Sequence, residues 1–253
     1  MLEESLRGKV AIVTGGYKGI GEVFTKAYAK NKAIVAICGR TKEEVEKKAN
    51  ELSLKYNATI VGYRVDVSKR EEVEYMVKDV MERFGRIDIL VNCAGVSGMQ
   101  KPFWEMSDDD FDYVFNINFK GALYFSQEVA RHMIKQGGGK IINVASIAGK
   151  LVLKYLMPYS VSKAALIHLT KVMAIELMKY NIQVNAVLPG YFLTDMNRDF
   201  FETEQGRAFA EKYIPIRRVG LPEELESTAI YLATCPSFLT GCEIVIDGGQ
   251  TLI

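Results

Sequence analysis

The sequence predicts an α/β fold in which seven parallel strands form one doubly wound sheet flanked by helices. The first observation is the recurrence of short segments rich in valine, isoleucine and leucine. They lack the polar alternation of a half-exposed sheet, as expected for strands covered on both faces. The second observation is that helix-like segments separate these runs along the whole chain. Strands alternating with helices imply a parallel sheet with right-handed crossovers.

The predicted strands are apolar segments bounded by glycine, proline or polar residues. In chain order they are 9–15, 34–40, 59–67, 87–95, 140–146, 182–190 and 242–249. Helices are predicted to begin at Thr41, Ser68 and Ser107, because a hydroxyl side chain there precedes acidic residues. Ser68 and Glu71 have the spacing of a capping box. Glycines are predicted to end two of these helices, at Gly85 and at 137–139.

The stretch 191–221 is the one long segment without a predicted strand, and it follows the sixth strand. Ligands bind at the carboxyl ends of the strands in an open α/β sheet. This stretch is therefore predicted to be a helical lid over the ligand site. No repeat, low-complexity tract or linker interrupts residues 1–253, which are predicted to form a single domain.

Composition disfavours several classes of partner. The chain has 32 Lys and Arg residues against 31 Asp and Glu residues, so no basic field is available to attract nucleic acid or anionic lipid. No secretory signal and no apolar run near the roughly 20 residues of a membrane span is present, so a cytoplasmic protein is expected. The cysteines lack a CxxC pair, and the two histidines lack ligand spacing. Reduced thiols and no metal are expected.

The stretch "TGGYKGIG" (14–21) lies between a predicted strand and a predicted helix. Gly15, Gly19 and Gly21 would let backbone amides approach a pyrophosphate, and the following helix would direct its N-terminal dipole toward it. This pattern predicts a dinucleotide site, although a tight turn without a ligand would also use such glycines.

The end of the second strand bears on cofactor choice. An acidic side chain there usually holds a free ribose 2′-hydroxyl, but this chain has Gly39 followed by Arg40. Arg40 and Lys18 would attract a 2′-phosphate that a carboxylate would repel. The pattern favours NADP(H) and leaves NAD(H) possible.

The segment "PYSVSK" (158–163) places Tyr159 and Lys163 four residues apart on one helix face. A tyrosine hydroxyl has an ordinary pKa of about 10, and a nearby ammonium group would lower it. Ser146 ends a strand thirteen residues earlier, where its hydroxyl could hydrogen-bond a substrate oxygen. A Tyr-x-x-x-Lys spacing is also common by chance on amphipathic helices, and a serine at this place could be a turn residue, so each signal is weak when taken alone.

Together these residues resemble the short-chain dehydrogenase/reductase family over nearly the whole chain. The resemblance rests on Thr14 and the three glycines, "VDV" with Asp66, "NCAG" (92–95), "NINFKG" with Asn118, Ser146, Tyr159, Lys163, "PG" (189–190), Thr194 and "VIDGG" (245–249). It implies a Rossmann fold and four catalytic residues: Asn118, Ser146, Tyr159 and Lys163. The cofactor residues it implies are Gly15, Tyr17, Lys18, Gly19, Ile20, Gly21, Arg40, Asp66, Val67, Asn92, Ala94, Gly95, Tyr159, Lys163, Pro189, Gly190, Phe192 and Thr194.

The resemblance also implies a mechanism. Ser146 polarises the carbonyl, Tyr159 donates or accepts the proton, and Lys163 lowers the pKa of Tyr159 and contacts the nicotinamide ribose. Asn118 holds a water that relays protons to Lys163. Relatives usually form tetramers through the helices that contain "YFSQEVARHM" and Tyr159, so a homotetramer is expected.

The sequence is compatible with several classes of substrate. The expected pocket residues are Ser97, Trp104, Ala148, Lys154, Tyr191 and Met196. One subgroup that the chain resembles is that of gluconate 5-dehydrogenase, which implies a sugar acid or a polyol as substrate. Another is 3-oxoacyl-(acyl-carrier-protein) reductase, for which Arg131 lies where that group often has a carrier-docking arginine. A second such position has Lys179 and Tyr180 in place of an arginine, which weakens this alternative. A generic ketone reductase and a catalytically silent nucleotide-binding regulator are further alternatives.

Overall fold

The computed structural model describes residues 5–195 and 197–253. One sheet of seven strands has the order β3-β2-β1-β4-β5-β6-β7, and every neighbouring pair is parallel. The strands are β1 Val10–Thr14, β2 Ile34–Gly39, β3 Ile60–Arg64, β4 Ile89–Asn92, β5 Gly139–Val144, β6 Ile182–Pro189 and β7 Glu243–Ile246. The predicted doubly wound parallel sheet is confirmed. Its strand order reverses between β1 and β4, where such sheets bind ligands.

Helices cover both faces of the sheet. They are α1 Gly19–Lys30, α2 Lys42–Tyr56, α3 Arg70–Phe84, α4 Asp108–Phe115, α5 Gly121–Gln136, α6 Met157–Leu177, α7 Arg198–Phe201, α8 Glu204–Tyr213 and α9 Glu226–Thr234. Successive residues of β1 alternate between two cores because strand side chains point to opposite faces. Ala11 and Val13 pack with α1, α2 and α9, whereas Val10 and Ile12 pack with α3, α5 and α6.

Two of the three predicted helix starts fit the structure closely, and one needs correction. The Ser107 hydroxyl accepts a hydrogen bond from the Asp110 amide at 3.2 Å and completes a capping box. The predicted Ser68–Glu71 capping box is wrong, because the Ser68 hydroxyl donates to Asp66 Oδ1 at 2.7 Å instead. Helix α3 begins at Arg70 without a side-chain cap. A short polar side chain two residues after an aspartate has this competing local partner.

The predicted helix 107–136 is divided by a π-helical turn at Asn116–Lys120. Helix α4 precedes this turn and α5 follows it, ending at Gly137 with φ of 89°. A π turn inserts an extra residue into the helix, and such turns occur often at functional sites. Here the turn contains the buried side chain of Asn118.

The segment after β6 contributes no strand to the sheet within its described residues. Its two ends lie together, because the Leu193 amide donates to the Gly220 carbonyl at 2.9 Å and the Gly220 amide donates to Tyr191 at 2.9 Å. Between these ends lie α7 and α8. Their aromatic side chains pack around Tyr191, with the rings of Phe201 and Phe209 each 5.5 Å from it.

Candidate active site

A cleft of about 500 Å³ opens at the carboxyl ends of the central strands. It brings together fourteen of the residues predicted to bind cofactor or substrate oxygen: Gly15, Tyr17, Lys18, Gly19, Ile20, Gly21, Arg40, Asp66, Val67, Ala94, Gly95, Tyr159, Lys163 and Thr194. The glycine turn and the Tyr159 helix therefore share one cavity. Most of its lining residues come from the ends of strands β1 to β5 or from the loops after them, so the cavity extends across the centre of the sheet.

The glycine turn has the shape expected of a pyrophosphate cradle. Gly15 and Gly19 have φ of 65° and 54°, and residues with a side chain rarely adopt such positive values. A Cβ atom on Gly21 would overlap the Gly15 carbonyl oxygen, so only glycine fits there. Helix α1 begins at Gly19, and its N-cap residue Lys18 makes no side-chain capping hydrogen bond. First-turn amides are thus left for an anion, and the residues present fit a dinucleotide.

The predicted adenosine end of the cleft includes Gly39, which has no side chain. A Cβ atom on Gly39 would overlap the ring of Tyr17, which occupies the adjacent space. Lys18 Nζ lies 5.0 Å from the centroid of the Tyr17 ring. On the other side, Arg40 Nη1 donates to the Tyr113 hydroxyl at 3.4 Å. Two cations therefore flank the place where an acidic residue is missing.

Asp66 follows β3 and lines the same end of the cleft as Val67. Its Oδ1 accepts hydrogen bonds from the amide and the hydroxyl of Ser68, at 3.0 and 2.7 Å. Its own amide donates to Glu72 Oε2 at 2.8 Å. These bonds fix the carboxylate at the cleft wall.

Asn92 lies behind the cleft rather than in its lining. Its Nδ2 donates to Ser126 Oγ and Asn143 Oδ1, both at 2.9 Å, and its side chain is 3% exposed. Asn143 Nδ2 in turn donates to Thr170 Oγ1 at 2.8 Å, which extends the polar network to α6. The network joins β4, β5, α5 and α6 beneath the site. Its position makes Asn92 a support of the cleft.

Thr194 is the one described residue of the predicted 189–194 carboxamide segment that lines the cleft. Pro189 ends β6, and the Gly190 amide donates to the Ile246 carbonyl at 2.8 Å. Phe192 is buried against Val23 and Leu225. The predicted cofactor contacts of these three residues therefore stay predictions.

Ser146 and Tyr159 meet at the inner end of the cleft. The Ser146 side chain hydrogen-bonds Tyr159, and its Oγ also accepts from the Ala148 amide at 3.1 Å. Burial raises the pKa of the Tyr159 hydroxyl above its ordinary value, while the hydrogen bond with Ser146 opposes this shift. A raised pKa keeps the hydroxyl protonated, so it can donate a proton to a substrate oxygen.

Lys163 is the buried cation of the site, with 4% of its surface exposed. Its Nζ donates to the Val144 carbonyl at 2.8 Å and lies 5.8 Å from the Tyr159 ring centroid. Burial lowers the pKa of Lys163 to about 8, because the interior disfavours the charged form. The predicted lowering of the Tyr159 pKa by Lys163 stays a prediction.

The Asn118 side chain is held by the loop after β4. Its Oδ1 accepts from the Val96 amide at 2.8 Å, and its Nδ2 donates to the Val96 carbonyl at 2.9 Å and to Ser162 Oγ at 3.1 Å. A Cβ atom on Gly95 would lie 3.2 Å from Asn118 Oδ1 and 3.6 Å from Lys163 Nζ. Asn118 thus lies beside Lys163 with its amide fully engaged. The predicted water relay between the two stays a prediction.

The predicted substrate residues are more dispersed. Tyr191 lies close enough to Tyr159 to raise the pKa of its hydroxyl, and Ala148 is buried beside Ser146. Ser97 lines a second cavity of about 430 Å³ between the loop after β4 and α4. Trp104 is 71% exposed and packs on Phe103, and Lys154 is also exposed. Met196 lies outside the described residues.

Sequence reasoning missed Tyr113 and Val96. Tyr113 contacts Arg40 across 73 residues of chain, and no local pattern on α4 signals that contact. Val96 lines the cleft and exchanges backbone hydrogen bonds with Asn118. Its position directly after "NCAG" was the available signal.

A model of the short chain dehydrogenase family matches residues 9–205. The chain belongs to this family. The match spans both the glycine turn and the Tyr159–Lys163 helix, so it includes the residues that form the two ends of the cleft.

Relatives of this short-chain dehydrogenase include several oxidoreductases. The NAD-dependent glycerol dehydrogenase of Listeria innocua is 34% identical over 98% of this chain and 96% of that protein. The 3-oxoacyl-(acyl-carrier-protein) reductase of Thermotoga maritima is 38% identical over 98% of this chain and 99% of that protein. A gluconate 5-dehydrogenase from Burkholderia cenocepacia, solved with NADP and tartrate, superposes with a TM-score of 0.93 at 32% identity, covering 100% of this chain and 98% of that one.

The remaining sequence expectations concern metals, thiols and membranes. Residues 5–195 and 197–253 contain no cluster of potential metal ligands, and no helix in these ranges is long and apolar enough to cross a membrane. Cys38, Cys93, Cys235 and Cys242 are free thiols.

Proposed function

We propose that this short-chain dehydrogenase transfers a hydride between NADP(H) and a secondary alcohol or ketone. The observation that carries the proposal is that Ser146, Tyr159 and Lys163 meet at the inner end of a cleft whose outer end is the glycine turn. The nicotinamide, when bound, supplies or accepts the hydride. The protein orients the substrate oxygen and moves its proton.

Each side chain has a distinct role in this proposal. Ser146 donates a hydrogen bond to the substrate oxygen, and Tyr159 exchanges the proton with that oxygen. Lys163 supplies positive charge beside Tyr159 and binds the ribose. Asn118 holds the loop that contains Gly95 and Val96 against Lys163. General acid–base catalysis of this type contributes about 10²- to 10⁴-fold to rate.

The proposed preference for NADP(H) rests on charge at the adenosine end. Lys18 and Arg40 flank the empty position 39, and the Tyr17 ring fills the space that an acidic side chain there would need. The Burkholderia structure contains NADP, whereas the Listeria relative is NAD-dependent. NAD(H) therefore stays the alternative cofactor.

Replacing both cations tests the cofactor proposal. The Lys18→Ala, Arg40→Ala variant should have a KM for NADPH raised by about 100-fold or more, since each of the two lost charge-assisted phosphate contacts weakens binding by roughly 1.5–3 kcal/mol. The KM for NADH should change by less than about 3-fold. Steady-state kinetics with both cofactors measures this difference. A matched control is the Lys47→Ala, Lys78→Ala variant, which removes two exposed cations from α2 and α3. Wild-type preference for NADH would contradict the proposal.

The proposed substrate is a sugar acid, a polyol or another small ketone, by similarity to the gluconate and glycerol enzymes. The second candidate is 3-oxoacyl-(acyl-carrier-protein) reductase activity, favoured by the 38% identity to the Thermotoga reductase. A spectrophotometric panel of sugar acids, polyols, simple ketones and acyl thioesters with NADPH and NADH distinguishes them. Oxidation of NADPH with any ketone would exclude a silent nucleotide-binding regulator.

We also propose that residues 1–253 form one domain, that 191–221 closes over the substrate, and that the protein is a cytoplasmic homotetramer. Outward-facing apolar side chains on α6 support the assembly: Val161, Val172 and Ile175 are 44%, 40% and 70% exposed. Such a surface is stabilised when a second copy covers it. Light scattering should give a tetramer, and a monomer would contradict the assembly.

A further inference from the structure

Two tyrosines contact the two cations at the adenosine end of the cleft. Long Lys and Arg side chains on exposed turns have many rotamers, and fixing them on binding costs conformational entropy. A neighbour that restrains such a side chain before binding reduces that cost. Lys18 and Arg40 are both exposed, and each has a tyrosine neighbour.

Tyr113 is the neighbour of Arg40. It lies on α4, 73 residues after Arg40 in the chain, and its hydroxyl accepts a hydrogen bond from Arg40 Nη1 at 3.4 Å. The phenol oxygen is neutral, so it restrains the guanidinium without neutralising it. An aspartate at that place would instead form an ion pair and compete with a phosphate. Asp66, whose charge acts on Arg40, is held by hydrogen bonds from Ser68.

Tyr17 is the neighbour of Lys18, and it also fills the space beside Gly39. Lys18 Nζ lies 5.0 Å from the ring centroid, within the range of a cation–π contact. Any side chain at position 39 would overlap the same ring. Tyr17 thus excludes an acidic residue from the place where a ribose 2′-hydroxyl is usually bound.

We infer that Tyr17 and Tyr113 are positioning residues for cofactor selectivity, holding Lys18 and Arg40 on either side of the 2′-phosphate. This inference rests on the proposed NADP(H) preference. Tyr113 acts through Arg40 alone, so its replacement changes binding of a 2′-phosphorylated nucleotide and leaves its unphosphorylated counterpart unaffected. Tyr17 also lines the cleft, so its role is measured by the ratio of the two affinities.

Binding measurements on the full-length protein test Tyr113. Calorimetric titration with NADPH, NADH, 2′,5′-ADP and 5′-ADP separates the 2′-phosphate from the rest of the ligand. Tyr113→Phe keeps the ring and removes the hydroxyl, and it should raise the Kd for NADPH and 2′,5′-ADP by about 3- to 5-fold, the size of one modest hydrogen bond. The Kd values for NADH and 5′-ADP should not change. Tyr75→Phe is the matched control, because it makes the same change at a side chain of α3 that is 69% exposed.

A double-mutant cycle identifies the partner. In an Arg40→Ala background, Tyr113→Phe should have no further effect on 2′,5′-ADP binding, because the side chain it holds is absent. Equal losses with and without Arg40, or equal losses for 2′,5′-ADP and 5′-ADP, would overturn the inference for Tyr113. Wild-type protein that binds NADH as tightly as NADPH would instead overturn the proposed cofactor preference, so the two failures are distinguishable.

Two substitutions test Tyr17 in the same titrations. Tyr17→Phe keeps the ring and should retain the NADPH-to-NADH affinity ratio. Tyr17→Leu removes the π face and should lower that ratio by about 3- to 10-fold, as expected for one cation–π contact. If Tyr17→Leu keeps the wild-type ratio, Tyr17 has no positioning role.

Discussion

The Tyr159→Phe variant is expected to lose turnover by about 10³-fold or more while still binding cofactor. Phenylalanine keeps the ring that packs at the inner end of the cleft and removes the hydroxyl that hydrogen-bonds Ser146. The loss should therefore appear in kcat, with the Kd for NADPH changed by less than about 3-fold.

Stopped-flow or steady-state oxidation of NADPH with the best ketone of the panel measures kcat, and fluorescence titration measures the Kd. Tyr155→Phe is a matched control, because it makes the same chemical change at a neighbouring side chain that is 55% exposed. Near-normal kcat in Tyr159→Phe would contradict the proton-transfer role. A kcat loss accompanied by equal loss of NADPH binding would indicate a damaged cleft instead.

The sheet could be predicted because each strand has a local signal. Runs such as 9–15 and 182–190 are apolar throughout, and the parallel pairing follows from the helices between them. The Ser68 capping box failed for an equally local reason. A serine has two short-range partners, and here the Asp66 carboxylate is preferred over the helix amides. Hydrogen-bond competition of this kind depends on backbone angles that composition does not specify.

The candidate site was predictable where its residues form short motifs. The glycine turn and the Tyr159–Lys163 pair fall in one cleft as expected. By contrast, the Arg40–Tyr113 contact and the packing of Tyr17 beside Gly39 join residues through tertiary structure alone. The full engagement of Asn118 with Val96 and Ser162 depends on the π turn, for which the sequence has no clear signal.

The Lys163→Met variant is expected to be inactive and yet more stable than wild type near pH 7. Lys163 is buried, and its pKa falls from 10.5 in an open chain to about 8 in the fold. That shift corresponds to about 3 kcal/mol of unfavourable free energy for keeping the ammonium charged in the interior. Methionine has similar length and no charge, but it leaves the Val144 carbonyl without its donor, at a cost of about 1–3 kcal/mol. The net gain in unfolding free energy should be about 1 kcal/mol.

The pH dependence distinguishes this cause from a simple packing effect. Between pH 8 and 10.5 the unfolded chain holds the Lys163 proton and the folded chain does not, so the wild-type contribution to stability rises with pH across that window. Below it the penalty is fully present. The advantage of Lys163→Met should therefore be largest near pH 7 and decline above pH 8. Urea unfolding across this range measures it, with Lys163→Arg as the control that stays charged. An advantage that does not change with pH would show that charge burial is not its origin.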